Sequence, residues 1–369
     1  MRVGIIGIGW LGPYKEANFH FQEFIFKTAQ KSYESSGLDP RKDIDGFISC
    51  QEDFWEGVSI SDEFAPDPLG GARRPTFTVA GDLMQGLAEG YMMIRSNLFN
   101  AVAIEAHSLV SDIRSLDSIT LAAFDPQYRE IFKGKVDALA AMDMNRFMNE
   151  RRLSRGEIDE LLVLQKRKGI KSSIGIHSLN LSKRDLENEK YSFYPLKEID
   201  KAPFSDFAIN VVLAKEDLAK KHEEVIWIDD LWYTSHGNAI DTAEYGKAFY
   251  IERAFKKLRN KVKDLSEYYI EVDDRYSYKL LQHLEAIGFE PRRAIEDIIN
   301  DNIKVNECGG LLSSGQSLEA TSGLEVLNAF LQLTHKAGQC QVKGLSKAIV
   351  VTWRGLPSFT GGIILLSGE

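Results

Sequence analysis

The stretch that decides the fold of this chain is Asn306-Glu-Cys-Gly-Gly-Leu-Leu-Ser-Ser-Gly-Gln-Ser-Leu-Glu-Ala-Thr-Ser-Gly323. It places paired glycines, serines and a third glycine just ahead of an apolar run with helical spacing, Leu324, Leu327, Phe330 and Leu331. This pattern predicts a glycine-rich turn that leads into the N-terminus of a helix. Such a turn offers free backbone N–H groups at the positive end of the helix dipole, which suits an anion or a developing oxyanion. A tight loop and helix cap without any ligand is the alternative interpretation.

The same stretch resembles the Asn-x-x-Gly-Gly-x-x-x-x-Gly-His-Pro-x-Gly-Ala-Thr-Gly signature of thiolases, nearest to the sterol-carrier-protein-2 type and its archaeal relatives. Gln316 stands where that family has its catalytic His, Ser317 stands for the Pro, and Glu319 stands for a Gly. The resemblance therefore preserves the scaffold of the motif without its chemistry. It also implies that CoA or an oxyanion is held by the remaining motif residues, Asn306, Gly310, Ser314 and Gly315.

Composition narrows the class of protein. A chain of 369 residues with 44% hydrophobic and 27% charged residues is ordinary for a globular protein built from two packed halves. The formal net charge of -9 argues against a nucleic-acid partner, and no apolar run approaches the roughly 18 residues of a membrane span. The N-terminus reads as a strand rather than a signal peptide. Three cysteines without metal-ligand spacing predict no metal site and a reducing, cytoplasmic location.

The opening Gly7-Ile-Gly9-Trp-Leu-Gly12 matches the glycine spacing of a dinucleotide-binding fingerprint. That fingerprint needs a helix to open at once, with an acidic residue about 20 positions on. Here Pro13 follows, and the first helix is predicted only from about Phe21 to Ser36. An NAD-dependent dehydrogenase is therefore a distant third hypothesis, because thiolase-like proteins also open with a strand, a Gly-x-Gly turn and an amphipathic helix.

A strand over residues 76–80, a helix over 83–98 and a strand over 101–108 predict a βαβ unit. In thiolases the start of this helix carries the nucleophile in a Cys-Ala-Ser-Gly motif. The resemblance places Leu83 at the position of that nucleophilic Cys. Asp82 beside it is expected to cap the helix, with a role as a base as the alternative.

The resemblance spans nearly all of the chain and implies the α/β thiolase fold. It predicts two similar βαβ halves stacked in five layers (α-β-α-β-α), each with a mixed five-stranded sheet, and an inserted helical loop domain that covers the acyl-CoA. We assign residues 1–110 and 202–222 to the N-terminal half, 111–201 to the inserted domain and 223–369 to the C-terminal half. The resemblance also implies a homodimer that pairs through the strand at 76–80.

In the second half, a strand over 269–273 leads into Asp274-Arg-Tyr-Ser-Tyr278, which resembles the thiolase segment Val-x-His-Asp-x-Phe-Ser. Asp273 replaces the His, Asp274 is kept, and Tyr276 replaces the Phe. Tyr276 and Tyr278 are candidate catalytic residues beside these carboxylates, because a carboxylate can orient or activate a phenol. Packing of both tyrosines in the core is the alternative.

Without the Cys and the His, thiolysis through a covalent acyl-enzyme is not expected. Retro-aldol cleavage of a β-hydroxyacyl-CoA needs only a base and donors that hold an enolate. Some thiolase-like aldolases that shorten steroid side chains lack the cysteine and rely on tyrosines. We therefore predict an acyl-CoA-binding protein with a CoA thioester as substrate and no covalently bound cofactor. The candidate catalytic residues are Tyr276, Asp274, Asp273, Tyr278 and Gln316.

A non-catalytic role is the alternative hypothesis. Thiolase-like chains of this type resemble components of complexes with a small zinc-ribbon/OB-fold protein that holds the CoA tail. A chain that keeps the fold but lacks both main catalytic residues is suited to be a scaffold or an acyl-CoA-holding subunit in such a complex.

Overall fold

The computed structural model describes residues 1–52, 61–113, 115–116, 135–235, 245–355 and 359–368. Its strands are β1 (Val3–Tyr14), β2 (Gly46–Cys50), β3 (Thr76–Val79), β4 (Ala101–Ser108), β5 (Tyr191–Phe193), β6 (Leu196–Lys197), β7 (Asp206–Lys215), β8 (Ile226–Thr234), β9 (Tyr269–Val272), β10 (Lys347–Trp353) and β11 (Gly361–Gly368). Its helices are α1 (Phe21–Ser36), α2 (Ser61–Phe64), α3 (Pro66–Leu69), α4 (Leu83–Arg95), α5 (Val136–Arg151), α6 (Arg155–Lys168), α7 (Lys183–Glu187), α8 (Glu216–Ala219), α9 (Phe249–Leu258), α10 (Ser277–Ile287), α11 (Pro291–Ile299), α12 (Gly310–Ser314) and α13 (Thr321–Leu333). Within the residues described, no helix combines the length and the apolar character needed to cross a bilayer.

Most predicted bounds agree with these elements. Helix α1 and strand β4 have the predicted bounds, and Gly37 ends α1 in the left-handed conformation that favours glycine. The sequence also predicts a helix from about residue 242 to 262 in the second half, and the observed helix is shorter, since α9 begins only at Phe249 and ends at Leu258. Residues 242–244 of that prediction lie outside the described residues, and 245–248 are not helical.

The main sheet has nine strands in the order β3-β2-β4-β7-β1-β8-β11-β10-β9. Its first five strands form the predicted mixed half, with parallel pairs around β2 and antiparallel pairs around β7. The other half differs from the prediction, because the described residues supply four strands and only a single bridge, between Ile270 and Val305, at the fifth position. A short antiparallel pairing of β1 with β8 joins the two halves into one sheet.

The helices confirm the predicted five layers. Helix α1 packs on one face of the first half of the sheet through Ile25 and Ala29. Helices α9 and α10 pack on the far face of the second half. A single apolar core between the two halves includes Leu87 of α4 and Leu327 of α13, together with inner-face residues of both sheet halves. Helices α4 and α13 are therefore the central layer, and their N-termini meet, since the backbone N–H of Met84 donates to Ser322 Oγ at 3.0 Å.

The opening glycines serve packing in this structure. Strand β1 continues through the whole Gly7–Gly12 segment, where a dinucleotide fingerprint would need a turn and a helix. A Cβ added to Gly9 would lie only 2.2 Å from the carbonyl oxygen of Thr28 on α1. Glycine at this position lets α1 approach β1 closely, which explains the motif without an NAD site.

Candidate functional site

A polar pocket lies where the N-terminal ends of four helices, α4, α5, α10 and α13, converge. Partial positive charge at these helix ends favours an anionic ligand or a developing oxyanion between them. The described residues that line the pocket are Glu52, Asp82, Leu116, Val136, Lys201, Phe204, Arg275, Tyr276, Gln316, Leu318, Glu319, Arg354 and Gly355.

Asp82 holds the start of α4 and also faces this pocket. Its Oδ1 accepts a hydrogen bond from the backbone N–H of Met84 at 3.0 Å, and Gln85 Oε1 accepts from the backbone N–H of Asp82 at 2.9 Å. The predicted cap is therefore confirmed. Burial raises the pKa of Asp82 to about 6, although the nearby guanidinium of Arg275 opposes the shift. A carboxyl group with such a pKa can exchange a proton near neutral pH, so the cap and the base alternatives are compatible.

Leu83, the residue at the predicted nucleophile position, faces away from the pocket. Its side chain is fully buried in the apolar core between the two halves of the sheet. The three cysteines of the chain, Cys50, Cys308 and Cys340, are also buried, and none is among the described lining residues. The described part of this pocket therefore presents no thiol to a ligand.

Arg275 is the buried cation of the pocket, and its charge is balanced by Asp273. Arg275 Nε lies 2.9 Å and Nη2 lies 2.7 Å from Asp273 Oδ2. Arg275 Nη1 donates to the carbonyl oxygen of Arg354 at 3.1 Å. Asp273 is fully buried behind this ion pair, so its carboxylate orients the guanidinium and is not itself a lining group.

Tyr276 reaches the pocket, but its partner is not one of the two predicted carboxylates. Its hydroxyl donates to Asp137 Oδ1 at 2.9 Å, and Lys201 Nζ donates to the same oxygen at 3.0 Å. Burial, together with the charge of Asp137, raises the pKa of Tyr276 well above its usual value. The phenol is therefore neutral at physiological pH, and its chemistry is that of a hydrogen-bond donor.

Gln316, which stands where the resemblance places the catalytic His, also lines the pocket. Its side-chain Nε2 donates to the carbonyl oxygen of Ala202 at 2.7 Å, and its backbone pairs with Pro203 and Ser205. The amide group has two hydrogens. One is donated to Ala202, and the other is available for a ligand oxygen. A neutral amide can donate to an oxyanion but cannot take up a proton as the family's His does.

Two predicted site residues, Asp274 and Asn306, hold the backbone behind the pocket. Asp274 Oδ1 accepts from the backbone N–H of Leu311 at 2.6 Å, at the start of α12. Burial and the neighbouring Asp273 raise the pKa of Asp274 to about 7. The side chain of Asn306 binds the backbone of Val272 at the end of β9. Its Oδ1 accepts from the N–H of Val272 at 2.8 Å, and its Nδ2 donates to the carbonyl oxygen of Val272 at 2.9 Å. Neither side chain is among the described lining residues of the pocket.

The predicted glycines and Ser314 belong to the same backbone framework. Gly310 has a φ of 59°, and a Cβ there would lie 2.4 Å from Asp274 Oδ2. Ser314 Oγ donates to the carbonyl of Gly310 at 2.9 Å, inside α12. Gly315, with a φ of 100°, turns the chain towards Gln316 and lies against Ser205. These residues fix the backbone that places Gln316 in the pocket. Direct contact between them and CoA stays a prediction.

Replacing Gly315 by Ala is expected to destabilise the protein by about 2–4 kcal/mol, because the backbone conformation is unfavourable and the new methyl clashes. A Cβ at this position would lie 1.9 Å from Ser205 Oγ. Gly288→Ala is the matched control, since Gly288 has a φ of 115° and nothing within 4 Å of an added Cβ. Urea unfolding measures both variants. Equal losses of free energy would show that the contact with Ser205 does not constrain this turn.

Tyr278, the last predicted catalytic residue, lies in a buried network behind the pocket. Its hydroxyl donates to Asp143 Oδ2 at 2.8 Å, and Lys279 Nζ lies 2.9 Å from the same oxygen. Tyr278 is fully buried, and burial raises the pKa of its hydroxyl well above the usual value. The network ties α10 to α5, which positions the helix start that carries Tyr276.

One side of the pocket is formed by residues that were not among the predicted catalytic or CoA-binding candidates. Glu319 Oε1 accepts from the backbone N–H of Glu52 at 3.0 Å, and its Oε2 accepts from Ser108 Oγ at 2.9 Å. Arg354 pairs with the carboxylate of Glu52. The departure of Glu319 from the family's glycine was the available sequence signal, because a carboxylate at a motif glycine position has to find partners in the fold.

No protein-family model matches the chain. Over 357 residues it is 23% identical to an acetyl-CoA acetyltransferase of Methanocaldococcus jannaschii, covering 90% of this chain and 89% of that protein. The structure of an aldolase described as Ltp2-ChsH2(DUF35) is similar with a TM-score of 0.81 and 16% identity, covering 100% of this chain and 98% of that one. A human mitochondrial 3-ketoacyl-CoA thiolase in complex with CoA gives a TM-score of 0.73 at 15% identity, covering 100% and 98%.

These similarities extend over nearly the whole of this chain and of each related chain. The structural likeness confirms the predicted fold class, with its central sheet and its layers of helices. The likeness in sequence independently relates the chain to an archaeal acetyl-CoA acetyltransferase. The chain has the thiolase fold, and over about 90% of its length its sequence is similar to that of an acetyl-CoA acetyltransferase.

Proposed function

We propose that this protein binds a CoA thioester in the polar pocket and breaks a carbon–carbon bond of a β-hydroxyacyl-CoA by a retro-aldol reaction. The observation that carries this proposal is the lining of the pocket. It presents a carboxyl group with a pKa of about 6, Asp82, and neutral or cationic donors, but no thiol among the described residues. Such a set of groups is suited to proton transfer and oxyanion stabilisation without a covalent acyl-enzyme.

In the proposed reaction, the carboxylate of Asp82 takes the proton of the β-hydroxyl group. The bond between the α and β carbons then breaks, and its electron pair passes to the α carbon to form the enolate of the shorter acyl-CoA. The β carbon leaves as a ketone or aldehyde. Protonation of the α carbon, with the proton held by Asp82 as its source, completes the reaction and regenerates the base.

The enolate oxygen carries the negative charge that the pocket has to stabilise. We assign this role to the free amide hydrogen of Gln316, to the positive charge of Arg275 and to the hydroxyl of Tyr276. The single hydrogen of this hydroxyl turns from Asp137 to the enolate oxygen when the substrate is bound. Asp273 orients Arg275, Asp274 fixes the start of α12, and Tyr278 fixes the start of α10. These three predicted candidates therefore act as positioning residues in the proposal.

We further propose that the chain works as a cytoplasmic homodimer in acyl-CoA or lipid metabolism, with a small OB-fold/zinc-ribbon partner. Strand β3 supports the dimer proposal, because it is the edge strand of the sheet and its Phe77 is 45% exposed. The partner proposal is supported by the description of the similar aldolase, which names a DUF35 component. Size measurement of the purified chain, alone and with a co-purifying partner, tests both statements.

Calorimetric titration of the purified chain with CoA and acetyl-CoA, alone and with any co-purifying partner, is the first test of the proposed function. We expect saturable binding in the micromolar range, followed by release of a carbonyl product from a β-hydroxyacyl-CoA. Binding without turnover across a panel of such substrates would favour the alternative, an acyl-CoA-holding subunit. An absence of binding in both conditions would leave only the scaffold role.

The Tyr276→Phe variant is expected to lower this turnover by about 10²–10³, since it removes one donor to the developing oxyanion. Tyr33→Phe is the matched control, because the hydroxyl of Tyr33 also donates a single hydrogen bond, to the carbonyl oxygen of Leu69 at 2.6 Å, and Tyr33 is not among the described residues that line the pocket. Initial rates at saturating substrate, with thermal unfolding of both variants, give the comparison. Unchanged turnover in Tyr276→Phe would remove this residue from the reaction.

A further inference from the structure

The wall of the polar pocket has an apolar part to which the proposed reaction assigns no role. Four of the described lining residues have wholly apolar side chains, Leu116, Val136, Phe204 and Leu318. The charged and polar lining groups serve proton transfer and charge stabilisation in the proposed function. Apolar side chains can do neither, and in a binding pocket such side chains contact the apolar part of the ligand.

Leu318 is held in an unfavourable backbone conformation. Its φ is 40°, in the left-handed region that a leucine rarely adopts. Hydrogen bonds of the two preceding residues fix the segment. The backbone N–H of Gln316 donates to the carbonyl oxygen of Pro203 at 2.8 Å, and that of Ser317 donates to Thr321 Oγ1 at 2.9 Å. Strained residues of this kind cluster at active and ligand-binding sites, where the surrounding structure holds them in place.

Packing of the core does not account for this conformation. Within the part of the chain that the structure describes, Leu318 and Phe204 belong to none of the apolar clusters that form the core. Both side chains are only partly buried, and both line the pocket. A leucine that stabilises the core is usually buried in it, whereas the strained backbone of Leu318 costs stability. The placement of this side chain therefore points to a role in the pocket.

Leu318 and Phe204 are both neighbours of Gln316. Leu318 follows Gln316 by two positions, and Phe204 is paired with Gln316 through a parallel β-bridge. In the proposed function, the amide of Gln316 donates to the thioester oxygen of the substrate as this oxygen becomes an enolate. Only the thioester carbon and the α carbon separate that oxygen from the β carbon. A substituent on the β carbon is therefore within reach of the two apolar side chains.

We propose that Leu318, together with Phe204, determines substrate specificity by binding an alkyl substituent on the β carbon of the CoA thioester. This inference rests on the proposed function, because that function places the β carbon near Gln316. The substrates selected in this way are β-hydroxyacyl-CoA thioesters with an alkyl group on the β carbon, in preference to those with a polar group there. Each methyl group that these side chains remove from water strengthens binding about fourfold.

Calorimetric titration with propionyl-CoA, butyryl-CoA and 3-methylbutyryl-CoA tests the inference, because the β carbon of these thioesters carries no, one and two methyl groups. None of them has a β-hydroxyl group, so binding is measured without cleavage. We expect the Kd of the wild-type protein to fall about fourfold with each methyl group. Equal Kd values would overturn this inference and leave the proposed function standing, whereas an absence of binding of all three would overturn both.

The variant Leu318→Asn removes the apolar contact and nearly keeps the size of the side chain. Asparagine adopts a positive φ more readily than leucine, so this variant should be at least as stable as the wild-type protein in urea unfolding. We expect the gain in affinity per methyl group to fall from about fourfold to less than about twofold. Leu318→Gly, in which glycine adopts this conformation freely, should lose the gain in the same way.

His335→Asn is the matched control, because His335 has a φ of 58° and is not among the described lining residues of the pocket. This variant changes a residue with a positive φ in the same way and should keep the wild-type gain for each methyl group. A fourfold gain that persists in both Leu318→Asn and Leu318→Gly would show that Leu318 does not contact the substituent, and it would overturn the proposal.

Discussion

Replacing Asp82 by Asn is expected to lower the turnover of a β-hydroxyacyl-CoA by a factor of about 10²–10⁴, because the variant has no base for the hydroxyl proton. The same change leaves the helix cap in place, since Asn caps helices about as well as Asp. The fold and the binding of CoA should therefore persist. Single-turnover rates, measured beside calorimetric binding of acetyl-CoA, separate the loss of chemistry from a loss of the pocket.

The pH dependence gives this prediction a second readout. The pKa of Asp82 is raised to about 6, and only the deprotonated carboxylate can act as the base. We therefore expect kcat/KM of the wild-type protein to rise with pH, to reach half of its maximum at about pH 6 and to level off at higher pH. The residual activity of Asp82→Asn should not show this rise with pH.

Ser154 provides a control for the capping role. It caps α6 with the same reciprocal arrangement, in which its side chain accepts from the N–H of Glu157. Ser154→Ala should cost about 1 kcal/mol of stability and leave turnover unchanged. If Asp82→Asn retains turnover within a factor of three of the wild-type value, Asp82 is a cap alone, and the retro-aldol proposal loses its base.

The fold was predictable because its signals are local. Gly37 and Gly288 mark the ends of α1 and α10 in the left-handed conformation, and both helices end there. Apolar periodicity likewise gave the bounds of β4. The fifth strand of the second half was not predictable from such signals, because only a bridge between Ile270 and Val305 occupies its place.

The candidate site was predictable only in part. Tyr276 and Gln316 were selected from motif positions, and both line the pocket. Their hydrogen-bond partners could not be predicted from motif positions, because Asp137 lies 139 residues before Tyr276, and Ala202 lies 114 residues before Gln316. Pairing over such separations depends on how the layers pack, and no local pattern in the sequence encodes it. The assignment of Asp273 and Asp274 to the two phenols failed for this reason.

The ion pair of Asp273 and Arg275 also shows what sequence spacing leaves open. These residues are two positions apart after a strand, and their proximity predicts neither burial nor a bidentate contact. The structure buries both, with the guanidinium against Trp353 and near Asp82. A buried charge needs a counter-charge, so Asp273 holds the guanidinium of Arg275 in its place in the pocket.

Replacing Asp273 by Asn is expected to destabilise the protein by about 3–5 kcal/mol, since it leaves the buried guanidinium of Arg275 without its counter-charge. The side chain keeps its shape, so the lost free energy reports the charge and its hydrogen bonds. Glu224→Gln is the matched control, because Glu224 pairs with Lys336 at 2.6 Å on the surface. That variant should change the free energy of unfolding by less than about 1 kcal/mol.

The double variant Asp273→Asn/Arg275→Met shows where the energy of the single change comes from. Methionine removes the buried charge and retains most of the apolar volume, so the double variant should be more stable than Asp273→Asn alone. Urea unfolding of the wild-type protein, Asp273→Asn, Arg275→Met and the double variant supplies the free energies and the interaction term of the cycle. A loss below 1 kcal/mol in Asp273→Asn would mean that the guanidinium finds another counter-charge, for which the candidates are Glu325 and, on the pocket wall, Asp82. If Asp82 takes this role, its pKa should fall below 6, because a closer cation stabilises its carboxylate.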